Sequence, residues 1–141
     1  MTDSNQKIFV DTAPFIYYLE INELYYDKTL KFFRDQYHSG CQFITSAITV
    51  EEYCTYPIRI NRLDHIQRFE SFVADLDIFV SNVDYNIGYL AAKLRAKYLF
   101  LKAFDAVQFA CAIQHNCNLF LTNDKQLKQV SEIQVVLVNE L

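Results

Sequence analysis

The chain has 141 residues, of which 52% are apolar, and it contains only two glycines and two prolines. This composition provides a core for one domain and excludes a disordered chain, a flexible linker or a low-complexity tract. The net charge of −4 argues against a large phosphate-binding surface, although it leaves room for an enzyme whose phosphate contacts run through a metal ion.

Short apolar strands alternate with helices along the chain. Strands that alternate with helices predict an α/β protein, here a three-layer α/β/α sandwich around a mostly parallel sheet of four to five strands. Thr12 and Ser46 are the expected caps of the first and third helices, and Pro57 is expected to stop the third. In chain order the pattern predicts a strand at 6–10, helices at 12–20 and 23–38, a strand at 42–45, helices at 46–56 and 61–74, a strand at 78–80, helices at 85–98 and 103–115, a strand at 119–121, a short helix at 125–130 and a strand at 134–138.

Membrane and export signals are not expected. No apolar run approaches the roughly 18 residues that span a bilayer. Residues 1–7 lack the basic head and apolar stretch of a signal peptide. We therefore expect a soluble, cytoplasmic protein with no membrane partner.

Acidic residues lie at the ends of predicted strands or on the helices that follow them. In open α/β sheets the ligand binds beyond the carboxyl ends of the strands. Carboxylates gathered there repel each other unless a cation joins them, so a metal-dependent enzyme is the leading hypothesis. The four residues are Asp11, Glu52, Asp105 and Asp124.

A simpler interpretation is that these acids only cap helices. Asp11 and Asp105 each stand where a cap is expected, and either Asn123 or Asp124 could cap the short helix after the fourth strand. Glu51 adjoins Glu52, and only one of the two can point inward from a helix. Four independent caps at one sheet edge explain the pattern less well than one shared site.

Cysteine and histidine patterns give no sign of a zinc or nucleophile site. There is no C-x-x-C pair among the four cysteines, and the three histidines are scattered. Cys111 and His115 share a helix face, but Cys111 lies in an apolar stripe and no acidic residue is evident to orient the pair. Cys41, Cys54, Cys111 and Cys117 are expected to be buried, reduced thiols.

Four segments carry these acids in a recognisable order: residues 9–13 (FVDTA), 45–53 (TSAITVEEY), 104–110 (FDAVQFA) and 120–124 (FLTND). Together they resemble the PIN-domain ribonucleases, most closely the VapC-like toxins of bacterial toxin–antitoxin pairs. In this family the glutamate follows the pattern S-x-x-T-x-x-E, which selects Glu52 rather than Glu51. Two departures are Ala13, where many members carry Asn, and Tyr56-Pro57, where the family has Gly.

The resemblance implies a single PIN-like domain over residues 1–141 that acts as a metal-dependent endoribonuclease. One or two Mg²⁺ or Mn²⁺ ions would be held by Asp11, Glu52, Asp105 and Asp124, and a water activated there would hydrolyse an RNA phosphodiester. It also implies a cognate antitoxin and a possible homodimer. The alternative is a non-catalytic PIN-like module that binds protein or RNA.

Some side chains have roles that the sequence leaves open. Thr122 could orient a carboxylate or the attacking water. The basic residues of 93–102 could guide RNA or simply cover a solvated helix face; they are Lys93, Arg95, Lys97 and Lys102. The tyrosines near the N-terminus are ordinary core and rim residues, or they form a groove for an antitoxin segment or a dimer seam; they are Tyr17, Tyr18, Tyr25 and Tyr26.

Two other phosphate-handling families start with a strand followed by Asp, and both fit poorly. A haloacid-dehalogenase-like phosphatase needs a second Asp two residues after the first, and Ala13 occupies that position. A phosphoacceptor receiver domain needs an acidic pair early in the chain, and Asp3 lies before the first predicted strand.

Overall fold

The computed structural model describes residues 6–141, and within them one parallel sheet forms the centre of the molecule. Its strands are β1 (Lys7–Val10), β2 (Gln42–Ser46), β3 (Phe79–Ser81), β4 (Leu119–Thr122) and β5 (Gln134–Leu137). They lie in the order β3-β2-β1-β4-β5. The chain steps outward from β1 on one side and then returns to place β4 on the other. This makes the β1/β4 boundary the topological switch point of the sheet, where α/β proteins open a crevice.

Helices cover both faces of this sheet. They are α1 (Thr12–Leu19), α2 (Tyr26–His38), α3 (Ala47–Arg59), α4 (Leu63–Asp75), α5 (Tyr85–Lys97) and α6 (Ala103–Gln114), with short 3₁₀ helices at Lys125–Gln129 and Val138–Glu140. Successive residues of a strand point to opposite faces. Phe9 of β1 therefore packs with α5 and α6, whereas Ile8 and Val10 pack with α1, α2 and α4. The three-layer α/β/α architecture expected from the sequence is confirmed.

Aromatic stacking fixes β1 against β4. The Phe9 and Phe120 rings stack with centroids 5.2 Å apart, and Phe109 of α6 stacks on Phe120 at 4.0 Å. All three side chains are fully buried, and Phe9 is in register with Phe120 across the sheet. Consequently the two strands end level with one another, and the backbone N–H of Asp11 donates to the Leu121 carbonyl at 2.9 Å.

Two predictions about helix ends are wrong. Asp11, not Thr12, is the N-cap of α1: its carboxylate accepts a hydrogen bond from the Thr12 N–H at 2.9 Å. Pro57 does not stop α3, which continues to Arg59. Pro57 lies in the last turn, where its missing N–H removes a single helical hydrogen bond and its ring is buried. The prediction that Ser46 caps α3 is correct, since its hydroxyl accepts from the Ile48 N–H at 3.1 Å.

Within residues 6–141 no helix has the length and apolar character needed to cross a membrane. The expectation about a signal peptide concerns residues 1–7, of which 1–5 lie outside the described residues, as does Asp3.

Candidate active site

An open cleft of about 770 Å³ lies at the switch point of the sheet, and all four sequence-predicted acids line it. Asp11 directly follows β1, and Asp124 lies two residues after β4. Asp105 is in the first turn of α6, and Glu52 lies on α3. The crossover connections therefore bring together residues up to 113 positions apart, because parallel strands deliver their carboxyl ends to the same edge.

Asp11 is the most constrained of these carboxylates. Its Oδ2 accepts a hydrogen bond from Thr122 Oγ1 at 2.8 Å, and its Oδ1 accepts from the Thr12 N–H at 2.9 Å and from Gln108 Nε2 at 3.3 Å. Burial raises the pKa of Asp11, the three hydrogen bonds oppose that shift, and the charge of Asp124 adds to it. The carboxylate is thus fixed in orientation but poorly compensated in charge.

Asp105 lies in the first helical turn without acting as a cap. The N-cap position of α6 belongs to Lys102, whose side chain makes no capping bond, so the simpler interpretation of Asp105 as a cap is wrong. Partial burial is the main factor that raises the pKa of Asp105 to about 6, and the negative charges of Asp11, Asp124 and Glu52 raise it further, in that order. All four acids therefore interact electrostatically within the cleft.

Glu52 and Asp124 complete the acidic wall from more exposed positions. Glu52 Oε1 accepts a hydrogen bond of 2.7 Å from Thr12 Oγ1, whereas the neighbouring Glu51 faces away and bonds to Thr55. Asp124 caps the 3₁₀ helix that follows β4, since its Oδ1 accepts from the Gln126 N–H at 3.0 Å. Capping and a position in the cleft are therefore not alternatives, because Asp11 and Asp124 have both.

A buried polar network beneath the acids was missed in the sequence. Gln108 of α6 is 1% exposed. Its amide nitrogen donates to Thr49 Oγ1 at 2.8 Å as well as to Asp11, and its oxygen accepts from Ser46. Thr49 Oγ1 also lies 3.2 Å from Thr12 Oγ1, which holds Glu52. The available signal was an amide within the otherwise apolar stretch of residues 106–113, because a buried polar group needs partners.

Thr122 and Asn123 connect β4 to the rest of the site. Thr122 orients a carboxylate, Asp11, which is one of the two roles considered for it. Asn123 does not cap the following helix; its Nδ2 donates to the Tyr17 hydroxyl at 3.2 Å, and its Oδ1 accepts from the Asn139 N–H at 3.2 Å.

The tyrosine group divides between two places. Tyr17 and Tyr25 line the acidic cleft. Tyr18 and Tyr26 instead line a separate groove of about 560 Å³ between the α1–α2 junction and α4, with Arg68 among its other residues.

Most basic residues of 93–102 have partners away from the acids. Lys93 lies over the Tyr89 ring, Arg95 donates to the Leu101 carbonyl, and Lys97 pairs with Glu132. Lys102 differs, because its charge lowers the pKa of Asp105. Lys125, which lines the cleft, was not singled out from the sequence.

The cysteines show no sign of reactivity. All four are free thiols. Cys111 is fully buried, and burial raises its pKa, whereas the other three are only half-buried, so the expectation of burial is wrong for them. His115 Nε2 lies 2.9 Å from Ser81 Oγ, which gives the histidine a partner other than Cys111.

The donor set suits a hard divalent cation. In the part of the chain that the structure describes, no three acidic, histidine or cysteine side chains form a cluster that could hold a metal ion. Mg²⁺ does not need such a cluster, because it binds through one or two carboxylates and keeps several waters. The cleft offers only oxygen ligands at its acidic positions. Burial, and then repulsion from the neighbouring carboxylates, raises the pKa of Asp105, and a cation would relieve that repulsion.

A parallel sheet with an acidic cleft at its switch point defines the class of α/β proteins in which ligand sites lie beyond the carboxyl ends of the strands. The family profile of the PIN domain matches residues 8–133. The chain therefore belongs to the PIN-domain family. Comparison with curated proteins finds no match.

Solved structures of toxin–antitoxin proteins share the fold. VapBC2 from Rickettsia felis, bound to a promoter DNA fragment, has a TM-score of 0.76 at 13% identity, with 94% of this chain and 98% of that chain covered. VapBC from Salmonella typhimurium, also bound to DNA, has a TM-score of 0.76 at 15% identity, and the same shares of the two chains are covered. Mycobacterium tuberculosis VapC20, described as a sarcin–ricin loop cleaving toxin, has a TM-score of 0.68 at 14% identity, with 90% of this chain and 98% of that chain covered. PIN and VapC proteins are nucleases, and PIN nucleases generally use a divalent metal ion.

Proposed function

We propose that this chain is a metal-dependent endoribonuclease and the toxin of a toxin–antitoxin pair. The observation that carries the proposal is the convergence of Asp11, Glu52, Asp105 and Asp124 on one cleft at the β1/β4 switch point. Membership of a nuclease family supports the reaction class, and the likeness to VapBC structures supports the toxin assignment.

Asp11, Glu52, Asp105 and Asp124 would hold one or two Mg²⁺ or Mn²⁺ ions, directly or through water. When bound, such an ion lowers the pKa of a water and offsets charge on the phosphoryl oxygens. A site that pre-positions its ligands spends less energy on reorganisation during the reaction.

The chain's own contribution is to orient the carboxylates. Thr122 and Gln108 each donate a hydrogen bond to Asp11, and Thr12 donates one to Glu52. Asp11 accepts three hydrogen bonds and Glu52 accepts one, so both carboxylates keep acceptor capacity for a cation. These hydrogen bonds thus set the orientation of the carboxylates toward a bound cation and an RNA phosphate.

Cleavage of labelled RNA by the purified protein with Mg²⁺ or Mn²⁺ tests the proposal. Cleavage by the wild type should require the ion and should disappear in Asp11→Asn and in Asp105→Asn. Asp27→Asn is the matched control, since Asp27 is exposed and lies outside the cleft, and it should cleave normally. RNA binding without cleavage under all these conditions would instead establish the non-catalytic module.

The proposed antitoxin would dock in the groove lined by Tyr18 and Tyr26. This groove combines aromatic surface with charged residues, including Arg68, Asp64 and Asp75, which suits an amphipathic segment. Co-purification with a co-expressed candidate antitoxin should be lost in Tyr18→Ser and kept in Tyr25→Ser, because Tyr25 belongs to the cleft. Light scattering of both variants tests the possible homodimer, whose mass should be unchanged if the groove serves the antitoxin alone.

A further inference from the structure

Two tyrosines form one wall of the acidic cleft. Tyr17 is on α1, on the same helix face as the cleft residues Ala13 and Ile16, and Tyr25 immediately precedes α2. Their ring centroids are 4.7 Å apart with an interplanar angle of 34°. Both side chains are half-buried. They therefore present aromatic surface to the same space as the four carboxylates.

Hydrogen bonds hold this pair in place and connect it to the acids. The Tyr17 hydroxyl accepts from Asn123 Nδ2 at 3.2 Å, and Asn123 is the residue directly before Asp124. Asn22 Oδ1 accepts from the N–H of Tyr25 at 3.0 Å and from that of Leu24 at 2.9 Å, which fixes the turn that carries Tyr25. The aromatic wall is thus built into the site and does not need to be ordered by a ligand.

Charge alone does not explain how this cleft would retain RNA. Among the described residues, four acids line the cleft and one basic side chain, Lys125, lines it with them. The whole chain has a net charge of −4. A protein that binds nucleic acid through its phosphates needs a surplus of basic groups. Stacking of bases on aromatic side chains provides affinity that does not depend on such a surplus.

We propose that Tyr17 and Tyr25 form a stacking platform for one unpaired base of the RNA, beside the phosphate at the acids. The inference rests on the proposed nuclease function and deepens it by naming the side chains that would position an unpaired nucleotide at the acids. A base inside a duplex is already stacked and paired, so it cannot lie on this wall. The two tyrosines are positioning residues that select an accessible nucleotide and bring its phosphate to the cleft.

Fluorescence anisotropy with a short, labelled, mixed-sequence single-stranded RNA and Mg²⁺ tests the platform in the cleavage-deficient Asp105→Asn protein. Tyr25→Leu should weaken binding by about 5-fold to about 150-fold, the range expected for one lost base-stacking contact. Tyr25→Phe keeps the ring and should bind like the parent protein. Tyr89→Leu removes an exposed tyrosine outside the cleft and should also leave binding unchanged. Binding should depend only weakly on salt.

Abasic substitution tests the same contact without altering the protein. When each base of the RNA is removed in turn, one position should lose affinity to the same extent as Tyr25→Leu, and the two changes together should not add. Equal binding by Tyr25→Leu and Tyr25→Phe, or equal affinity for duplex and single-stranded RNA, would overturn the platform. Ring-dependent binding combined with no cleavage by the wild type would instead overturn the nuclease and leave the platform standing.

Discussion

Thr122 Oγ1 donates a hydrogen bond of 2.8 Å to Oδ2 of Asp11, although 111 positions separate the two residues. The contact joins the last residue of β4 to the residue after β1, and it exists because these two strands are neighbours in register. It is one of three hydrogen bonds that fix the orientation of the Asp11 carboxylate.

Replacing Thr122 with Val should slow RNA cleavage while preserving the fold. Valine keeps the shape of the buried side chain but removes the donor, and a hydrogen bond to a charged group contributes about 1.5–3 kcal/mol. If Asp11 must hold its orientation in the reaction, kcat should fall by about tenfold or more at saturating metal. Thr122→Ser keeps the hydroxyl and should retain most of the activity. Identical rates for the Val and Ser variants would show that the donor is not needed.

Replacing Gln108 with Leu should destabilise the protein by about 1–3 kcal/mol, because the buried hydroxyls of Ser46 and Thr49 would each lose their hydrogen bond to the amide. Urea unfolding gives the free energy directly. Gln114→Leu on the exposed side of the same helix is the control and should change stability little. A difference no larger than that of the control would mean that water replaces the amide in the network.

Mg²⁺ or Mn²⁺ should raise the melting temperature, because an ion that binds only the folded state stabilises it. At a concentration a hundred times the dissociation constant the gain is about 2.7 kcal/mol. Asp11→Asn removes a proposed ligand and should show a much smaller shift in a thermal melt, whereas Asp27→Asn should show the full shift. Equal shifts in the Asp11 variant and the wild type would exclude Asp11 as a ligand.

Acid should weaken the contact that ties the end of α1 to α3 and α4. The Tyr53 hydroxyl donates to Glu20 Oε1 at 2.7 Å, and His65 Nδ1 lies 2.9 Å from the same oxygen. Burial raises the pKa of Glu20, but these hydrogen bonds outweigh it and the net pKa is below the ordinary value of 4.5. A lowered carboxyl pKa stabilises the fold above the unfolded-state value and loses that contribution as pH falls through the folded value.

Tyr53→Phe should therefore be less stable than the wild type by about 1 kcal/mol near neutral pH. The difference should shrink as the pH falls below 4.5, the ordinary pKa of Glu20. Urea unfolding over a pH series measures it. A difference that stays constant across the series would assign the effect to packing of the Tyr53 ring on Phe69 and not to the Glu20 carboxylate.

The order of elements and the positions of the acids could be predicted from local pattern. Short apolar runs flanked by cap residues identify buried strands, and the rule that parallel strands deliver their ends to one edge places Asp11 and Asp124 together. Helix ends follow less directly from local pattern. Pro57 lies inside α3 because a proline in the last turn removes only one hydrogen bond. Asp11 caps α1 because its backbone is extended and its carboxylate accepts from the Thr12 N–H.

Periodicity and the residues adjacent to strands were enough to predict the α/β class and the acids of interest. The contacts across the site depend on how the chain packs in three dimensions. Gln108 forms a hydrogen bond with Asp11, which is 97 positions away in the sequence. Tyr17 forms one with Asn123, which is 106 positions away. Such partners are chosen by how α6 and α1 pack on the sheet, and packing depends on the shape and burial of many side chains at once, so no local pattern encodes it.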